Sequence, residues 1–406
     1  MRIAMIDPAD FSPPYDEALV GGLRGLGHDA VLFGAVGGPT SGSEFRRPTF
    51  YRLLANRPAF PPKLAQIAKG LHHGVDMLRL VADLGRLRPD IIHFQWAPLP
   101  LADRMFLASL RRHAPVVLTM HDSQPYNGAI GGLMAFGVDG LARTADAVIV
   151  HTGQARHHLI ERGVAPDSVH IVPHGLLHAP VASNQPAAIG TRRCLQLLQF
   201  GKLRPYKGVD VLLEALALLP PEVRSRLRVH VCGKPYMPTE PLIRFVRQAD
   251  LEDVVTFRFD FVDDQEIGRL FGAADAALFP YRQIDTSGVA MTAVAHGVPV
   301  LASAIGGFVE LFEDGREARF VPPADAPALA SVLSAWIAEP EALGRLRAGM
   351  VRRRGSIPDW SDIATSTLAV YGTARRRWLE TGRLAPTVAT TTTARRLGQR
   401  PNCDGS

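Results

Sequence analysis

The feature that most constrains this chain is an alternation of short apolar runs with helix-like segments, played through twice. In the first half the runs are RIAMID (2–7), DAVLFG (29–34), DIIHFQW (90–96), PVVLTMHD (115–122), DAVIVHT (146–152) and SVHIVPHG (168–175). Most are nearly continuous in apolar residues and end in polar or glycine positions, as strands buried on both faces do. Helix patterns fall between them at 16–26, 64–87, 100–112 and 153–162. The segment APVASNQPAAIGTRR (179–193) interrupts the order and reads as a linker. The alternation then restarts, with strands at 195–200, 228–233, 254–259, 275–280, 299–303 and 318–322. Helices are expected at 209–219, 240–250, 264–273, 289–296 and 326–338. Asp263 with Glu266 has the spacing of a capping box.

Repeated β-α units give a parallel sheet with helices on both faces. Two blocks give two Rossmann-like, doubly wound α/β domains, which 406 residues accommodate better than a single core. The expected division is 1–178, linker 179–193, 194–358, a terminal helix over 359–382 and a polar tail over 383–406. Ligands of such sheets bind at the carboxyl ends of the strands, so the cleft between the domains is the expected site.

Bulk properties exclude several classes. With 47% apolar and 21% charged residues the chain is globular. A net charge of +6 over this length is too diffuse to argue for nucleic acid, and it suits anionic ligands or an anionic membrane face. The three cysteines, Cys194, Cys232 and Cys403, form neither a disulfide framework nor a zinc motif, and a reducing cytoplasm is expected. MRIAMIDPAD lacks the apolar core of a signal peptide, and no run of ~18 apolar residues spans a bilayer. Residues 36–62 form a long connection in which basic residues interleave with Phe45, Phe50, Tyr51, Leu53, Leu54 and Phe60. That mixture suits peripheral membrane contact through 40–62, or a large acceptor, and equally a plain surface loop.

The densest chemical signal is FGKLRPYKGVD (200–210). Lys202, Arg204 and Lys207, bracketed by Gly201 and Gly208, sit where a strand turns into a helix. A helix start presents free N–H groups and partial positive charge, and glycine lets a ligand approach the backbone. The pattern points to an anion. A second such turn, DTSGVAMTAVAHG (285–297), offers Thr286, Ser287 and Gly288 ahead of a helix. No GxGxxG follows a strand near the start of either domain, which disfavours an NAD-linked oxidoreductase.

The ordered set HD (121–122), IVPHG (171–175), FGKLRPYKGVDVLLEAL (200–216), VCGK (231–234), LFPY (278–281), SGV (287–289), AHGVPVLAS (295–303), GGFVE (306–310) and VPPAD (321–325) resembles glycosyltransferase family 4. The likeness covers roughly residues 1–380. It implies a GT-B fold, a retaining mechanism and a nucleotide-diphosphate sugar as co-substrate. It implies an acceptor that is lipid-linked, an oligosaccharide or a small molecule, on a polysaccharide or glycoconjugate pathway. It also implies no essential metal and no other cofactor, because cationic side chains and a helix start meet the diphosphate.

Residue by residue, the likeness assigns the diphosphate to Gly201, Lys202, Arg204, Lys207, Thr286, Ser287 and Gly288. Where the family has Arg after the first glycine this chain has Lys202, and Arg204 is placed to supply the guanidinium. His121 is the candidate for touching sugar or acceptor, with Asp122 orienting its ring. Lys234, Tyr281, Arg282, Asp285, Thr292 and Glu310 are candidates for the donor sugar or nucleotide, and Tyr15 and His174 for the cleft. Gly175 is expected to make a tight turn, Gly21 and Gly22 to serve helix packing, Ser361 to cap the terminal helix and Trp360 to anchor it. Two glutamates typical of the family are absent, with Ile284 and Thr292 in their places. That departure keeps a non-catalytic nucleotide-sugar or glycan-binding relative as an alternative. A sugar-nucleotide epimerase of the same fold is a further one.

Overall fold

The computed structural model describes residues 1–37, 44–52, 62–122, 131–177 and 194–383; for 62–67, 131–136, 382 and 383 it describes the backbone alone. The expected linker at 179–193 and the tail beyond Arg383 lie outside the described residues. The first block runs β1 (Arg2–Ile6), α1 (Pro13–Gly25), β2 (Asp29–Ala35), β3 (Arg46–Phe50), α2 (Pro62–Leu87), β4 (Ile91–Phe94), α3 (Pro100–Leu110), β5 (Val116–Thr119), α4 (Gly131–Thr144), β6 (Ala147–Val150), α5 (Gly153–Glu161) and β7 (Val169–Ile171). The second runs β8 (Leu195–Phe200), α6 (Val209–Leu218), α7 (Pro221–Arg224), β9 (Leu227–Cys232), α8 (Glu240–Gln248), β10 (Val255–Arg258), α9 (Asp264–Ala273), β11 (Ala276–Phe279), α10 (Gly288–Ala295), β12 (Val300–Ser303), α11 (Gly306–Leu311), β13 (Ala318–Val321), α12 (Ala326–Ala338) and α13 (Glu341–Ser356). The last helix is α14 (Trp360–Arg383).

The strands build two sheets, ordered β3-β2-β1-β4-β5-β6-β7 and β10-β9-β8-β11-β12-β13. Every pairing is parallel. Each order reverses direction beside its first strand, between β1 and β4 and between β8 and β11, and a crevice opens at such a reversal. Each sheet is packed on both faces. Met77, Leu80 and Leu107 cover one side of the first sheet, and Leu19, Val20 and Tyr371 the other. Leu212, Leu216 and Leu333 cover one side of the second, and Phe271, Val294 and Met350 the other.

β3 lies inside the stretch read above as a long connection. It is an edge strand, and Pro48 is tolerated there because one flank of the strand needs no partner. The helices α4, α7 and α13 are also additions to the sequence expectation. α13 carries five arginines and buries only Leu343, Leu346, Gly349 and Met350, so its apolar stripe is thin.

α14 returns to the first block and packs on α1, β5 and β6. Ile363, Ala364, Val370, Tyr371 and Ala374 join Ile3, Met5, Leu19 and Val20 in one core. Trp360 Nε1 donates to Leu176 O at 3.0 Å. Asp359, rather than Ser361, caps the helix by accepting the N–H groups of Ser361 and Asp362. A Cβ on Gly175 would lie 2.6 Å from the Trp360 ring, so this glycine serves close packing, not the expected turn.

Candidate active site

The carboxyl ends of β8, β9 and β11 converge on the loop 201–208. Gly201 has φ +110° and Gly208 φ +65°. A Cβ on Gly208 would sit 1.9 Å from Pro280 O, so only glycine lets this loop pass the end of β11. Pro205–Lys207 form a single 3-10 turn, and Gly208 leads straight into α6. The turn folds Lys207 inward. Its ammonium lies 5.0 Å from the centre of the Tyr281 ring and beside Gly201, where a Cβ would meet it at 2.9 Å. Lys207 is 5% exposed, and burial, helped by Lys202 and Arg204, lowers its pKa to about 7. Among the described residues no carboxylate offsets this: the charged neighbours that act on it are cations.

Lys202 and Arg204 are close enough to Lys207, and Lys234 to Lys202, for their charges to repel. Arg204 and Lys234 lie over the Tyr236 ring at 5.2 and 5.9 Å. Burial lowers the Lys202 pKa and Arg204 adds to this, while Asp7 at the end of β1 opposes it. The start of α10 closes the site from the side: Val289 Cγ2 would lie 3.0 Å from a Cβ on Gly201. Ser287 caps α10 by accepting the Ala290 N–H at 3.2 Å, and Gly288 leaves room beside Leu177.

Several expected donor contacts are engaged elsewhere. Arg282 makes a two-pronged bond to Asp210, at 2.9 and 2.7 Å, and also donates to Pro205 O. It braces the 201–208 loop rather than reaching into it. Thr292 is buried and donates to Gly288 O within its own helix. Tyr281 is fully buried among Tyr206, Phe279 and Phe308. Asp285 is buried with His158 of α5 at 3.9 Å. Glu310 accepts the N–H groups of Gly153 and Gln154 at 2.6 and 2.7 Å, and so completes the start of α5 in the other domain.

The facing wall belongs to the first domain. His121, His151 and His174 follow β5, β6 and β7, and Gln95 and Trp96 follow β4. Trp96 stacks on His121 with ring centres 5.1 Å apart. Tyr15 is 1% exposed, so it does not line the cleft as expected; it is the hub that His121, His151, His174 and Trp360 pack around. The His121 ring is held by Gln95 and His151, not by Asp122. Asp122 faces the second domain, where its charge adds to burial in raising the Tyr206 pKa. Burial holds all three histidines neutral, His151 at about 4, His174 at about 3 and His121 well below its ordinary value. His174, Thr152, Asp285, Thr286, Glu310 and Arg353 help to line a cavity of ≈ 230 Å³ between the domains. Among the described residues no three His, Cys, Asp or Glu side chains gather to hold a metal ion.

Gln95 and His151 were not singled out in the sequence. The signal that selected His121, a polar residue closing an apolar run, marks them too.

Two family models match. Residues 14–175 match the glycosyl transferase 4-like domain and residues 195–339 the glycosyl transferases group 1 domain. This chain belongs to the family 4 type of GT-B glycosyltransferases. Among family members, it is 31% identical to an MMP alpha-(1->4)-mannosyltransferase of Mycolicibacterium hassiacum, over 57% of this chain and 55% of that one. It is 31% identical to a D-inositol 3-phosphate glycosyltransferase of Streptomyces scabiei, over 66% and 65%, and 30% identical to one of Frankia alni, over 70% and 74%. The chain thus spans just over half to about two thirds of the first relatives it matches. Solved GT-B structures share the fold. Anabaena HepE in complex with UDP and glucose gives a TM-score of 0.72 at 19% identity, over 92% of this chain and 100% of that one. Sucrose-phosphate synthase of Thermosynechococcus elongatus gives 0.72 at 21%, over 92% and 98%.

Proposed function

We propose that this family 4 member is a retaining glycosyltransferase that takes a sugar from a nucleotide diphosphate and passes it to a glycan, lipid-linked or small hydroxyl acceptor. The observation that carries the reading is Lys207, a buried ammonium with a depressed pKa, set beside Gly201, which also touches the start of α10. Such a group is stabilised by an oxyanion placed next to it. As the sugar–phosphate bond breaks, negative charge builds on the leaving diphosphate. Lys207, Lys202, Arg204 and the α10 N–H groups are already aimed at that charge, so they favour the transition state over the ground state. In this reading these cations take the part a metal plays elsewhere. HepE structures with UDP and with UDP-glucose make UDP the first nucleotide to try.

The test is thermal unfolding with UDP, GDP, ADP and dTDP, on wild type and Lys207→Ala. A ligand at 100 times its Kd stabilises by ~2.7 kcal/mol. The reading expects one diphosphate to raise the wild-type midpoint and to leave the variant's unmoved. No shift with any of them sinks it. Labelled sugar transfer then separates the enzyme from a binding-only relative, which Ile284 and Thr292 in the place of the family glutamates keep as the second reading.

Peripheral contact with an anionic membrane is part of the proposal. Among the described residues no helix is long and apolar enough to cross a bilayer. Arg47, Arg52 and Arg86 line a cavity beside the edge strand β3. Deleting 40–62 would remove that strand, so Arg47→Ala with Arg52→Ala is the sounder probe. Unchanged binding to phosphatidylserine vesicles would discard the contact.

A further inference from the structure

The three histidines and Gln95 obey a proton count. His151 Nδ1 lies 2.9 Å from Val172 O. A carbonyl only accepts, so that nitrogen carries a proton. The ring is neutral, which leaves its Nε2 as an acceptor. His121 Nδ1 lies 3.2 Å from this acceptor and must donate to it. His121 is neutral too, so its own Nε2 is a bare lone pair. Opposite it, at 3.1 Å, stands Gln95 Oε1, a second acceptor. Gln95 Nε2 is meanwhile buried without a partner. A half-turn of the amide removes both faults, because an N–H then meets the lone pair. What it leaves is an unpaired carbonyl, the cheaper of the two orphans.

We propose that Gln95 is the positioning residue of His121: its amide donates to His121 Nε2 and, with His151 and the Val172 carbonyl at the other end, fixes the Nδ1–H tautomer. The hydrogen-bond geometry stands by itself; its consequence for catalysis rests on the glycosyltransferase reading. A ring held this way has its one lone pair taken up by the Gln95 amide and its one N–H by His151, so its orientation is set before substrate arrives. It does not donate to phosphate. His174 has the same polarity, since its Nδ1 lies 2.7 Å from Gly175 O and its Nε2 is left as an acceptor. The first domain therefore offers the substrate one free imidazole acceptor suited to a hydroxyl group, His174 Nε2, while Lys202, Arg204 and Lys207 stand on the facing domain.

The experiment is a long-range ¹H–¹⁵N correlation spectrum of the full chain with ¹⁵N-labelled histidine at pH 7, assigned with His121→Asn. The expected result is a protonated Nδ1 and a bare Nε2 on His121. Gln95→Glu puts a carboxylate opposite and should place a proton on Nε2. Gln95→Leu should lower kcat roughly tenfold with donor KM within about twofold, the signature of a lost orienting bond. A wild-type His121 with the proton on Nε2, or a spectrum that Gln95→Glu leaves unchanged, overturns the proposal. The spectrum needs no turnover. A protein with this tautomer and no sugar transfer would refute the transferase reading and leave the Gln95 assignment standing.

Discussion

The Glu310 carboxylate accepts the Gly153 amide at 2.6 Å, and the two residues belong to different domains. With Gln154 N–H also on Glu310 and Ala155 N–H on Thr152 Oγ1, three of the free amides at the start of α5 are satisfied, two of them from across the cleft. An anion at a helix start is worth about 0.3–1 kcal/mol at an exposed position and is weakened by salt. Glu310→Gln should therefore loosen the closed arrangement. Small-angle scattering of the unliganded variant should show a larger radius of gyration than wild type at low salt, with the difference shrinking at high salt. Identical profiles at low salt would show that other contacts set the closure.

Lys207 links nucleotide binding to pH. Its pKa in the free protein is about 7, lowered chiefly by burial. A bound diphosphate raises it, so above pH 7 binding takes up a proton. Affinity is then level below about pH 7 and falls as pH rises, by up to tenfold per unit for one proton, until the bound-state pKa is passed. Calorimetry in two buffers of different ionisation enthalpy at pH 8 should register the uptake, and Lys207→Arg should abolish it. The same group has a stability consequence of defined sign. Between pH 7 and its unfolded value the unfolded chain holds the extra proton, so this lysine makes the fold more stable as pH rises through that window.

Arg282 and Asp210 act as one unit bracing the diphosphate loop. If so, Arg282→Ala and Asp210→Ala should weaken nucleotide binding to a similar extent, and the double variant should be no worse than either single one. Additive losses in Kd would mean that Arg282 touches the nucleotide directly.

Two adjacent glycines in α1 should respond in opposite directions. A Cβ on Gly21 meets nothing within 4 Å, whereas one on Gly22 meets Trp360 O at 2.4 Å. Gly21→Ala should stabilise by about 0.5–1 kcal/mol through helix propensity. Gly22→Ala should destabilise by roughly 1–3 kcal/mol because α14 must move off α1. Urea melts of the two variants decide it, and a Gly22→Ala midpoint at or above wild type would contradict the packing.

The loop at 201–208 was legible because its signal is local: cations, glycines and a strand-to-helix change within eleven residues. The β-α alternation was legible because strands buried on both faces need apolar residues at nearly every position. β3 was not, since RRPTF has neither alternation nor an apolar run, and an edge position asks for neither. The fates of Arg282 and Glu310 were not legible either. Their partners lie 72 and 157 residues away, and only the domain packing says that a guanidinium braces its own loop or that a carboxylate leaves its domain. The His121–Gln95 relationship has the same origin, in two strand ends that the sheet order makes neighbours.

α14 also governs the order in which the chain is completed. One face of the first sheet, which α1 covers in part, is completed only when Ile363, Ala364, Val370 and Tyr371 arrive, after the whole of 194–358. In topology the second domain is an insertion within the first. On the ribosome, where domains usually fold in the order they emerge, it is the second one that finishes first, and a chain released before α14 is made carries an open apolar face instead of an idle surplus domain.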